Sequence, residues 1–231
     1  MICLESWNYE IITLMSGYLK SEDQRNSHII LVNFGSIIYM FPFALGITSS
    51  NIIGKYVGGF YPGKTELVSK FILIFASVLS FVLFIILILS RSLLPKIFSS
   101  NQDIVEIVDK LLVYYFFYQF FDFITTTFCG IFRGLGMQKM IAIANFVCFY
   151  IISLPLNYYL TFTLGFEVYG IRITYNIVIF LLFVVYCLIY RYCIDFNKIC
   201  DVTKTRLIHD QNNIFYIEEL NEEQTYYFKL E

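Results

Sequence analysis

Apolar residues run along this chain in blocks of about 20, each long enough to cross the ~30 Å hydrocarbon core of a bilayer as a helix. Six blocks are legible, at 1–19, 29–49, 71–89, 111–132, 141–163 and 168–190. A segment in lipid must pair its backbone N–H and C=O groups internally, so each block predicts a helix. The first block opens at Met1 with almost nothing ahead of Glu5 and reads as a span cut short. The stretches between blocks (YLKSEDQRNSH, NIIGKYVGGFYPGKTE, SRSLLPKIFSSNQD, RGLGMQK and LGFE) read as turns and interfacial pieces. In the third, Ser100 or Asn101 ahead of Asp103 and Glu106 has the form of a helix N-cap with acids in the first turn. The pattern as a whole predicts an all-α integral membrane protein with a bundle of six transmembrane helices over 1–190. A polar tail follows over 191–231, with an acidic patch EELNEEQ, expected to be disordered and cytoplasmic.

Composition sharpens this picture. Of the 231 residues 58% are hydrophobic and only 15% charged, too apolar for a water-soluble domain of this size. A formal net charge of −2 with no basic cluster excludes a nucleic-acid partner. Lys and Arg are distributed unevenly between alternate sides, nine against five, with Lys55, Lys64, Lys70, Arg133, Lys139 and four tail residues on the richer side. The positive-inside rule then places that side, and the C-terminus, in the cytoplasm. Cys3, Cys129, Cys148, Cys187, Cys193 and Cys200 form no CxxC pair, and His28 and His209 fall in polar connectors, so neither a disulfide framework nor a metal site is expected. Nor do the spans hold the paired Asp or His/Ser constellation of an intramembrane enzyme, and no cofactor is expected.

Ionisable groups inside spans are costly and therefore candidates for function. Three stand out: Glu5 and Glu10 in the first block, and Asp122 among Phe120, Phe121 and Phe123 in the fourth. At about 100° per residue the two glutamates point roughly 140° apart, with Asn8 near the direction of Glu5 and Trp7 near that of Glu10. On that geometry one acid faces an internal cavity and the other a neighbouring helix or the headgroups. Low dielectric disfavours the charged form of a carboxylate, so such an acid can exchange a proton for another cation. Arg172 is the nearest intramembrane cation. Gly54-Lys-Tyr-Val-Gly58 and Gly130-Ile-Phe-Arg-Gly134 are small-xxx-small patterns that let helices approach closely. RGLGMQK, with Gly134 and Gly136, lacks the strand and third glycine of a dinucleotide loop. Pro42 and Pro155 lie inside spans and predict kinks.

These residues together resemble a known family. CLESWNYEIITLMSGYL is similar to the seventh-helix motif of the multidrug and toxic compound extrusion (MATE) family, with Cys3, Leu4, Glu5, Trp7, Glu10, Ser16 and Gly17 matching and Ser6 in place of a Trp. The likeness continues through Tyr39 and Pro42, then Gly54, Gly58 and Gly59 of a cytoplasmic loop, then Asp122, Gly130, Arg133, Gly134, Gly136, Gln138, Asn145, Tyr150 and Pro155. It departs at Gly170-Ile171-Arg172, where the family usually has a Trp in the last position. The match covers about 1–190 and resembles the C-terminal lobe, helices seven to twelve.

The resemblance implies a secondary antiporter, or its C-terminal half, exporting organic cations or xenobiotics in exchange for H⁺ or Na⁺. Glu5, Glu10 and Asp122 would bind cations in a cavity lined by Trp7, Asn8, Tyr9 and phenyl rings able to make cation–π contacts. An N-terminal lobe or a second copy is expected to complete that cavity. Two other readings stay open: a non-transporting structural membrane subunit or remnant, and a lipid-linked saccharide flippase, which the acidic spans suit less well.

Overall fold

The computed structural model describes residues 2–19, 21–98, 101–206 and 208. Six long helices dominate: α1 (Ile2–Ser16), α2 (Glu22–Gly58), α3 (Pro62–Leu89), α5 (Gln102–Gly134), α6 (Gln138–Thr163) and α7 (Glu167–Tyr192), with a short α4 (Leu94–Phe98) between α3 and α5. Four of them, α2, α3, α6 and α7, are long and apolar enough to cross a membrane by length and composition. Helix α1 is described over only 15 residues, and α5 carries Gln119, Asp122, Thr125 and Thr127 buried in its middle, which lowers its hydropathy.

The helices run further than the apolar blocks. At 37 residues α2 is about 55 Å long, well beyond the hydrocarbon core. Most of NIIGKYVGGFYPGKTE, expected as a connector, is therefore helix. Only Gly59–Tyr61 turns the chain, Phe60 sits at φ +59°, and Pro62 opens α3 at the first helical position, where its missing N–H costs nothing. Once a helix is nucleated inside the bilayer, polar residues at its ends extend it at little cost. Likewise His28, expected in a connector, lies fully buried inside α2, while His209 falls outside the described residues. The N-cap expectation holds at Asn101, whose side chain accepts from the Asp103 N–H at 3.0 Å.

Helix α5 is the hub, packing against α2, α3 and α7. Its crossing with α2 depends on glycines that meet backbone to backbone. A Cβ on Gly130 would collide with Gly46, and one on Gly134 would stand 2.7 Å from the Ser50 carbonyl oxygen. Gly130-xxx-Gly134 is thus a packing motif as expected. Gly54-xxx-Gly58 is not its counterpart: a Cβ at Gly54 would only just reach the Gly134 carbonyl at 4.0 Å and one at Gly58 meets nothing within 4 Å. The matching face of α2 is Gly46, Ser50 and Ile53, with Gly46-xxx-Ser50 about two turns ahead of Gly54-xxx-Gly58. Gly136 turns the chain at φ +76° between α5 and α6.

Pro42 is accommodated inside the continuous α2. Pro155 lies in α6 between two π-helical turns, Val147–Ser153 and Tyr159–Thr163, so the helix adjusts by widening on either side of it. Outward faces are apolar: α3 exposes Leu67, Phe71, Ile74, Val78, Phe81 and Ile85 at helical spacing, a lipid-facing stripe.

Beyond Tyr192 the expected disordered tail is structured at its start. Residues 196–206 form a helix, α8, with Ile194, Phe196 and Ile199 packed on the core, Cys200 buried and the Phe196 ring against Tyr190. Apolar residues at 194, 196, 199 and 200 give that segment a face to bury, which the net polarity of the tail obscures. The EELNEEQ patch lies outside the described residues.

Candidate functional site

One face of α5 carries Tyr115, Tyr118, Gln119 and Asp122, spaced i, i+3, i+4 and i+7, and all four are buried. They look into a cavity of about 250 Å³ closed by α1, α2 and α7. Within the stripe the Tyr115 hydroxyl donates to Gln119 Oε1 at 2.7 Å and the Tyr118 hydroxyl donates to Asp122 Oδ1 at 3.2 Å. From α1 the Tyr9 hydroxyl meets that of Tyr118. The Tyr9 ring stacks on Tyr175 of α7, centroids 5.1 Å apart, and Tyr118 packs on Tyr175 at 6.0 Å. With Tyr39 of α2, five tyrosines surround the carboxylate. Gly35 makes room for this arrangement, since a Cβ there would press on the Tyr115 ring at 3.3 Å.

The acids singled out in the sequence converge, and more closely than their helical angles suggested. Glu5 and Glu10 both border the cavity that holds Asp122. The cavity wraps α1 from Glu5 through Tyr9 and Ser6 to Glu10, so it spans the 140° that separated the glutamates. Glu10 is exposed, whereas Glu5 is half-buried and also borders a second void of about 20 Å³, shared with Tyr39, Cys129, Arg133 and Asn145. That void has room for about one water.

Two residues expected in the cavity lie elsewhere. Trp7 is 68% exposed and does not border the cavity, and no cavity ring is tryptophan. Asn8 is fully buried and turned to α6, where its amide donates to the Phe149 carbonyl at 2.6 Å within the first π turn. A π turn shifts carbonyls out of the ordinary ladder, and Asn8 satisfies one of them. The aromatic lining is likewise tyrosine, not phenylalanine.

Sequence reasoning did not gather Tyr115, Tyr118, Gln119 and Tyr175 into the site. The first three had a signal, the polar stripe with Asp122 along one face of an otherwise apolar helix. Arg172 was noticed but not placed. It is buried, borders the same cavity, and is held from α2 by His28, whose backbone oxygen accepts from Nη2 at 3.3 Å and whose Nδ1 lies 3.4 Å from it. Gly170, two residues before it, lets α7 lie against the Leu160–Thr161 backbone, where a Cβ would come within 2.9 Å. At the end of the bundle Gln24 clamps α2 to α7, bonded to the Glu167 carboxylate and accepting from the Val168 N–H at 3.3 Å.

Six long helices around a cavity bordered by three acids, one of them buried, describe one lobe of a polytopic membrane transporter. Residues 1–159 match the MatE family model, and the chain belongs to that family. It is 28% identical over 181 residues to multidrug and toxin extrusion protein 1 of Danio rerio and 31% identical over 183 residues to multidrug and toxin extrusion protein 2 of Oryctolagus cuniculus. Each alignment takes in 78% of this chain but 30% of the relative, so the chain matches under a third of these proteins' length. Its fold is similar to that of the eukaryotic MATE transporter AtDTX14, with a TM-score of 0.84 at 23% identity, covering 89% of this chain and 46% of that one. It is also similar to a MOP superfamily transporter from Pyrococcus furiosus, described by a reverse polarity of its binding pocket, at TM-score 0.76 and 15% identity over 83% of this chain and 42% of the other. The fold is therefore a MATE lobe.

Proposed function

We propose that this chain is the C-terminal lobe of a MATE-type secondary antiporter, working with an N-terminal lobe or a second copy to export small organic cations in exchange for H⁺ or Na⁺. The observation that carries this reading is the placement of Glu5, Glu10 and Asp122 around one tyrosine-lined cavity. A cation entering it gains carboxylate attraction in low dielectric and the faces of several rings. A proton or Na⁺ on the same acids competes with it. Export follows if the lobe pair prefers one orientation with the coupling ion bound and the other with substrate bound. Its relatives' names, multidrug and toxin extrusion proteins, support an export role. The positive-inside pattern supports a cytoplasmic C-terminus.

The test is ethidium export from cells expressing the chain from its own transcript, with the product sized by an antibody to the tail. A product near twice 27.2 kDa identifies a two-lobe protein, and one at 27.2 kDa calls for a separate partner. In either form Asp122→Asn or Glu5→Gln should abolish export while the protein still reaches the membrane. Export undiminished in both variants would sink the reading.

A further inference from the structure

Among the described residues, three buried donors border the cavity without an acceptor: Arg172 Nε, the Gln119 amide Nε2 and the Tyr175 hydroxyl. Their residues are 6%, 3% and 3% exposed. A buried polar atom without a partner is costly, and a buried charge more so. What holds Arg172 is uncharged: its Nη2 meets the backbone oxygen and Nδ1 of His28, and it joins no ion pair among the described residues. Its guanidinium carbon stands 6.0 Å from the centre of the Tyr175 ring. Gln119 accepts from the Tyr115 hydroxyl through Oε1, which leaves its amide hydrogens to donate elsewhere. The buried acid lies at the other end. Asp122 is seven residues past Tyr115 on α5, about 10 Å along the axis, and takes the Tyr118 hydroxyl. Glu5 also borders the void shared with Arg133, and Glu10 is exposed, where water screens it.

We propose that the Arg172 end of the cavity is a resident site for a small monovalent inorganic anion, chloride, held by Arg172, Gln119 and Tyr175. A single spherical ion can accept from all three donors at once, and its one charge balances one guanidinium. Arginine suits the place because it stays charged even when buried in a span. A multivalent anion would meet greater repulsion from Asp122 and Glu5. The ion is a fixed component and not the cargo: it fills a small part of the cavity of about 250 Å³ and leaves the end with the acids open. The site stands whether or not the lobe exports cations. On the reading of the cavity as a cation site, the anion offsets the repulsion of Arg172, so chloride and cation each favour the binding of the other.

Chlorine nuclear magnetic resonance of the chain in lipid nanodiscs reads the site directly, since chloride exchanging with a protein site broadens the bulk line. Gluconate replaces chloride at constant ionic strength, empty nanodiscs give the background, and monodispersity is verified for every variant. The unaltered chain should broaden the line saturably, and bromide should reverse the effect. Arg172→Gln should abolish it. Tyr175→Phe and Gln119→Leu should each weaken chloride binding about tenfold, the loss of one hydrogen bond to a charged ion. Asp122→Asn should bind chloride at least as tightly as the unaltered chain. Ethidium, titrated in the same nanodiscs, should bind about fivefold more tightly in chloride than in gluconate, and Arg172→Gln should erase the difference. No saturable broadening by the unaltered chain overturns the site, as does broadening that survives in Arg172→Gln. If Arg172→Gln does not stay monodisperse, full chloride binding by both Tyr175→Phe and Gln119→Leu overturns it. Equal ethidium affinities in the two salts overturn the charge-balancing role. Ethidium that binds in neither salt counts against the cation reading and leaves the chloride result to decide the site.

Discussion

Tyr118 and Asp122, one turn apart on α5, share a hydrogen bond of 3.2 Å, and the Tyr118 hydroxyl is at the same time joined to Tyr9 on α1. One phenol thus links the acid at the centre of the bundle to the helix that carries the two glutamates. Removing it leaves Asp122 with neither oxygen bonded to protein, since Oδ2 has no partner. Leaving a buried polar group without its hydrogen-bond partner costs ~1–3 kcal/mol. Tyr118→Phe should therefore weaken ethidium binding about tenfold or more. Fluorescence titration in nanodiscs measures it, and an unchanged affinity would show that the Tyr118 hydroxyl does not support the acid.

The glycines of α2 and α5 are not equivalent. Gly130→Ala puts a methyl group into the Gly46 backbone, where no side chain can swing away, and should cost ~1–3 kcal/mol or prevent folding. Gly58→Ala meets nothing within 4 Å and adds helix propensity near the end of α2, so it should be neutral or stabilising by up to ~1 kcal/mol. Thermal unfolding in detergent distinguishes the two. Equal losses at both positions would contradict the crossing described here.

Asn8 anchors α1 to the first π turn of α6 through its 2.6 Å bond to the Phe149 carbonyl. Asn8→Ala leaves that oxygen without its side-chain donor in a buried place, a loss of ~1–3 kcal/mol. Hydrogen exchange at the amides of 147–153 should quicken in the variant. Exchange that does not change would assign the stability of the π turn to α6 alone.

Cys193 is exposed at the end of α7, while Cys200, seven residues on, is 3% exposed. Burial also pushes the Cys200 thiol up, which lowers its fraction of reactive thiolate. A maleimide at neutral pH should modify Cys193 at least tenfold faster, as read by peptide mass mapping. Comparable rates would mean that α8 is not held against the bundle. With an impermeant maleimide, labelling of Cys193 only after the cells are opened checks the cytoplasmic placement of this end.

The bundle was legible because lipid imposes one rule on every span, and six apolar blocks obeyed it. Helix ends were less so: polar residues at 22–28, 50–58 and 62–70 mark the water interface, which helices cross freely. At the site, Glu5, Glu10 and Asp122 were found by cost, since an acid in hydrocarbon demands a reason. Their convergence was not, because α1 and α5 meet through tertiary packing that spacing on one helix does not report. The same applies to Tyr175 and to the His28–Arg172 pair, 144 positions apart along the chain. Asn8 and Trp7 were misplaced because the helical angle fixes only direction around α1, and the bundle decides which directions hold a cavity, a neighbouring helix or open surface. The π turns around Pro155 leave no periodic signature in an apolar run.

Trp7 is the chain's single tryptophan, and it stands 68% exposed one residue from Ser6 on the rim of the cavity and two from Glu5. Its indole is therefore an optical reporter placed by the sequence itself at the border between this lobe and whatever covers α1. Lipid tails, detergent and a protein surface differ in polarity and in quenching. The emission maximum of the purified chain, followed as candidate partners are added, reads out assembly without any label.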